Sequence, residues 1–94
     1  MASVRFYEST RPSKKLMAVF SNPHEVIHFG QRGASDYTIH HDKTRRAFYI
    51  ARHRKNENWL NPRSAGALSR WILWGDSDNI EDNIRAFKKR FRLA

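Results

Sequence analysis

Cysteine is missing from this 94-residue chain, which excludes disulfide staples, thiolate zinc sites and thiol nucleophiles. Such a chain fits a reducing compartment. Long apolar runs are missing too. The longest, Leu16 to Phe20 and Trp71 to Trp74, fall far short of the roughly 20 residues of a membrane helix. Met1 to Phe6 contains no apolar signal core, so secretion by a signal peptide is not expected. No internal repeat or low-complexity tract appears. Acidic residues are scarce: nine Asp and Glu stand against eighteen Lys and Arg, a formal charge of +9. Such a charge points to a polyanionic partner, whether nucleic acid, membrane headgroups or an acidic protein surface.

What is present suffices for one core. Hydrophobic residues make up 39% of the chain and aromatics 13%, with six Phe, three Tyr and three Trp. A chain of this length is read as a single domain, residues 1–94, burying about 60–65% of its unfolded surface. The expected class is α+β: a small antiparallel sheet of two or three strands over about residues 4–29, then three helices packed on it. Val4 to Tyr7, Leu16 to Phe20 and Val26 to Phe29 read as strands. Ser21-Asn22-Pro23-His24 reads as the turn of a hairpin. Ile27 and Phe29 share one face of their strand, Val26 and His28 the other.

The helices are expected at about 41–54, 62–74 and 79–91. In the first, Asp42 stands near the positive end, and Ala47, Phe48 and Ala51 form the expected buried stripe. Asn61-Pro62 suits the start of the second as cap and first residue. Ala65, Leu68 and Ile72 recur at helical spacing, and Gly75 marks a left-handed stop. Asp78 and Glu81 have capping-box spacing at the head of the third. Ile80, Ile84, Phe87 and Phe91 define its amphipathic face, with acids at its start and bases at its end.

Charge is unevenly spread. From Lys43 to Arg63 there are seven cations against Glu57 alone, a local balance of +6, whereas Asp76 to Asn83 holds four acids and no base. Arg45 and Arg52, seven apart on a helix, share a face, with Lys43 and Arg46 beside them. A row of guanidinium groups suits a phosphate backbone, because each neutralised phosphate releases condensed counterions and Arg contacts phosphate oxygens in pairs. Lys43, Arg45, Arg46, Arg52, Arg54 and Lys55 are the candidate nucleic-acid contacts. Trp59 is added as an aromatic able to stack on an unpaired base, and Arg32 as part of a small anion nest around Gly30 and Gly33. The plainer readings stand beside these: a solvated helix face, core aromatics, and glycines in an ordinary turn.

Catalytic constellations are weak. His24 and His28 fall in a turn and a strand, and the adjacent side chains of His40, His41 and Asp42 diverge on a helix. No histidine follows His53, as a His-Asn-His nuclease would need. Asp36, Asp42 and Glu57 are more simply caps and ion pairs than a magnesium site. No enzyme activity, cofactor or metal is expected.

Phe29-Gly30, Gly33 to His40, Arg52 to Trp59, and Ala65-Gly66 through Trp71-Ile72-Leu73-Trp74 together resemble an uncharacterised family. Its members are small basic proteins encoded by large double-stranded DNA viruses of algae and protists. The resemblance spans roughly residues 15–91. It implies a viral setting, in the virion or in host cytoplasm or nucleus during infection, and carries over no catalytic residue or cofactor. Two roles follow as expectations: sequence-independent binding of DNA or RNA phosphates through the basic helix and following loop, or a minor capsid or cement protein contacting other capsid proteins. Exposure of Trp71 or Trp74 would favour the second.

Overall fold

Alternation of apolar and polar side chains folds the first third of the chain into a three-stranded antiparallel sheet. The computed structural model describes Met1 to Ala94. The strands are β1 (Val4–Glu8), β2 (Lys14–Phe20) and β3 (Glu25–Gln31), in the order β1-β2-β3. The register pairs Val4 with Phe20, Phe6 with Ala18, Leu16 with Phe29, and Ala18 with Ile27. The centre of one sheet face is thereby apolar, with Glu8, Lys14, Glu25 and Gln31 at its margins. β3 runs past Phe29 to Gln31, which pairs with Lys14. Asn22 and Pro23, joined by a cis peptide, lie in the hairpin turn as expected.

The α+β class holds, with the helical half more divided than the sequence suggests. A short helix, α1 (Tyr37–His40), precedes α2 (Lys43–His53). They are separated because His41 adopts a left-handed conformation, with φ of 56°, and because each helix has its own acidic cap. Asp36 Oδ1 accepts from the Thr38 N–H, and Asp42 Oδ1 accepts from those of Thr44 and Arg45. A side-chain acceptor at the N-cap satisfies donors that have no partner within the helix. The first long helix thus begins at Lys43 instead of His41.

The second helix also starts late. Asn61 closes a turn by accepting the Arg63 N–H, and Ser64 caps α3 (Ala65–Leu68) through the Ala67 N–H. The chain then widens into a π-helical turn, Ser69–Leu73, ending where the Trp74 N–H reaches the Ser69 carbonyl at 3.0 Å. Arg70, Ile72 and Leu73 all point inward from this turn. Gly75 follows for a reason other than the left-handed stop expected. Its φ is not positive; a Cβ there would run into the Trp71 carbonyl and the Asn83 amide.

The last helix, α4 (Ile80–Arg90), is capped by Asn79, not Asp78. Asn79 Oδ1 takes the Glu81 and Asp82 N–H groups, while Asp78 lies 3.0 Å from His41. Its stripe of Ile80, Ile84, Phe87 and Phe91 packs against the core as the spacing predicts, with Phe87 inside it. The core is one cluster: Val4, Ala18, Phe20 and Phe29 from the sheet, Leu68, Ile72, Leu73 and Phe87 from the helical half. Phe6 meets Phe29 and Phe87 edge to face, with centroids 6.2 and 5.9 Å apart, a favoured aromatic geometry. No helix is long and apolar enough to cross a membrane.

Candidate nucleic-acid interface

The helix carrying four of the seven cations of the dense segment, α2, lies outside that core cluster and docks through a face the apolar pattern did not mark. Ala47, Phe48 and Ala51, the expected buried stripe, are all exposed. Tyr49 is buried, while Arg46, Ile50 and His53 are half-buried. The reason is a stack. The Tyr49 ring lies parallel to Trp74, at 4.2 Å and 3°, and His53 stacks on Tyr49 at 4.2 Å. Arg46 adds a polar lock: Nε donates to the Gly75 carbonyl at 2.8 Å and Nη2 to Asp76 at 2.9 Å. A long basic side chain can bury its stem while its head finds acceptors, so an arginine can serve where an alanine was expected.

Docked in this way, α2 turns an adjoining flank, with Tyr49 and His53 at its edge, toward an open cleft of about 700 Å³. Arg45, Phe48 and Arg52 line it from α2, and Lys14 and Lys15 line it from β2. Phe29, Leu73 and Trp74 contribute from the core side. Lys15 is already committed: its ammonium lies 2.7 Å from Asp36, which is only 2% exposed. Lys14, Arg45 and Arg52 make no ion pair. One carboxylate shares the cleft. Glu57 Oε2 lies 2.9 Å from His53 Nδ1, and Oε1 accepts from the Trp59 indole at 2.9 Å. Burial pushes the Tyr49 phenol well above its ordinary value, and the nearby Glu57 charge adds to the rise. Burial also lowers the Arg70 guanidinium, with Arg46 contributing repulsion.

The eight residues expected to contact nucleic acid separate accordingly. Arg45 and Arg52 come together at the cleft. Lys43, Arg54 and Lys55 are exposed at the two ends of α2, extending the basic surface beyond it. Three serve the fold. Arg46 fastens α2 to the Gly75–Asp76 segment. Arg32 lies 3.2 Å from Glu8 and donates to the Ser9 carbonyl at 3.1 Å, tying the end of β3 to the loop after β1. Trp59 is half-buried, with the Arg70 guanidinium 5.2 Å above its ring. Arg63, another cation of the dense segment, is likewise spent: it donates to the Pro23 and Ser21 carbonyls, at 2.8 and 2.9 Å, holding the hairpin turn.

Lys14 and Phe48 were missed. Lys14 belongs to a strand distant in sequence, and helical spacing places Phe48 in the core; the one signal in the sequence is that α2 offers two faces able to pack inward. Trp71 and Trp74 are half-buried rather than exposed. Trp74 is in the stack, and Trp71 lies beneath Arg70 and Arg90, at 4.4 and 3.8 Å.

The chain belongs to a family of unknown function (DUF5754), whose model matches residues 4–53. That segment runs from β1 to the end of α2 and holds Lys14, Arg45, Phe48 and Arg52. No curated protein and no solved structure matches the chain.

Proposed function

We propose that this protein binds nucleic acid without sequence specificity, through the basic face of α2 and the cleft beside it, and that it is a binding module with no catalytic step. The observation that carries the reading is the grouping of unpaired cations along α2, the loop after it and the facing strand. Arg46, Arg63, Arg32 and Lys15 are engaged within the fold, while Lys43, Arg45, Arg52, Arg54, Lys55 and Lys14 make no ion pair. Of these, Lys14 is half-buried at the cleft wall and the other five are exposed. Free cations on one helix and the facing strand attract phosphates chiefly by counterion release. The resemblance to small basic viral proteins favours a packaged or replicating genome as the polyanion, in the virion or the infected cell.

The test is binding of the purified protein to labelled DNA over a range of salt. If all six cations engage phosphates, the slope of log affinity against log salt is roughly −4 for a single strand and roughly −5.4 for a duplex. Replacing Arg45, Arg52 and Arg54 together by Ala reduces that slope by about 2 to 3. Salt-insensitive binding, or no effect of the triple change, overturns the reading. Weak binding even at low salt would assign the basic face to an acidic protein neighbour, such as another component of a capsid.

A further inference from the structure

Among the six Phe residues, only Phe48 is exposed, at 67%, and it lies at the cleft between two unpaired arginines. The core does not use its ring, since α2 docks through Arg46, Tyr49 and His53 while Phe48 stays in solvent at the edge of the cleft. Resting on the nucleic-acid reading above, we infer that the cleft takes an unpaired nucleotide of a single strand, with its base against Phe48 and its flanking phosphates at Arg45 and Arg52.

Three features support this polarity. First, positions 45, 48 and 52 lie on one helix face, with the outer two about 10 Å apart along the axis at 1.5 Å per residue. The guanidinium groups can therefore straddle a ring seated between them. Second, the cleft holds charges of both signs. Lys14, Arg45 and Arg52 are free to meet phosphates, whereas Glu57, held by His53 and Trp59, places a carboxylate in the cleft. A carboxylate repels a phosphate but tolerates a base edge bearing N–H donors. Third, a duplex hides its base faces in its own stack and presents a wall of phosphates, which offers an exposed phenyl ring nothing. Every unpaired base has a face on which an aromatic side chain can stack.

The experiment compares a short labelled oligothymidylate with a duplex of equal length, using the intact protein, Phe48→Ala and Phe48→Trp. The inference expects the single strand to bind more tightly than the duplex. It expects Phe48→Ala to weaken single-strand binding roughly 5- to 100-fold with duplex binding unchanged, and Phe48→Trp to retain affinity. Because Phe48 is exposed, its removal leaves the fold intact, which circular dichroism verifies. Equal binding of both forms with no effect of Phe48→Ala overturns the inference while leaving the basic face as a phosphate binder. Failure of every form to bind at low salt overturns both. A free mononucleotide that competes with the strand nucleotide for nucleotide overturns the strand as the ligand.

Discussion

Asn83, 1% exposed, joins α4 to the segment that follows the π turn. Its Oδ1 accepts the Ser77 N–H at 3.0 Å, and its Nδ2 donates to the Ile72 and Ser77 carbonyls at 3.0 and 2.7 Å. Each is a backbone group that would otherwise lack this partner. Asn83→Ala should therefore lower the unfolding free energy by about 1–3 kcal/mol, the usual cost of leaving buried polar groups unsatisfied, as read from urea denaturation. An unchanged urea midpoint would show that the three backbone groups find other partners. Gly75 owes its identity to the same contact, since any side chain there would displace Asn83 or the Trp71 carbonyl. Neither role was visible in sequence: Asn83 reads as one more polar residue of an amphipathic helix, and Gly75 as a helix stop.

At the scale of the element, α2 shows how two faces can compete. Ala47, Phe48 and Ala51 satisfy the apolar periodicity, yet Arg46, Tyr49, Ile50 and His53 are the side that packs. The flat contact of Tyr49 on Trp74 and the bonds of Arg46 to Gly75 and Asp76 outweigh two methyl groups and a ring left at the edge of an open cleft. The choice has a consequence at alkaline pH. Burial holds the folded Tyr49 phenol above its ordinary value of 10.0, so the unfolded chain releases that proton first. Its contribution to stability is full below pH about 10 and declines as pH rises toward the raised folded value. Tyr49→Phe keeps the stack and removes the titration. The intact protein should lose urea resistance above pH about 10 more steeply than this variant does; parallel losses would place the alkaline sensitivity elsewhere.

For the whole molecule, stability and charge are divided between regions. The core joins the sheet to the π turn and α4, and none of its eight residues lies on α2. Helices held outside a core open locally, at a lower cost than global unfolding. Amide hydrogen exchange should accordingly find α2 less protected than α4, although each has 11 residues. Equal protection would mean that the Tyr49–Trp74 stack and the Arg46 lock couple α2 fully to the core. The acids of Asp76 to Asp82 are partly taken up within the fold, Asp76 by Arg46 and Asp78 by the His41 ring, and none of them lines the cleft.

The sequence by itself determined the α+β class, the register-bearing hairpin and the amphipathic stripe of α4, because each rests on local periodicity and turn chemistry. It also located the basic segment, because charge is counted along the chain. Only the tertiary structure decided which cations are free. Whether Arg46 meets Asp76, or Arg63 meets the hairpin turn, depends on partners 30 and 38 or more residues away, and no spacing along the chain encodes such distances. The same holds for the cleft: Lys14 and Phe48 face it together because a distant tryptophan receives Tyr49 and thereby sets the rotation of α2.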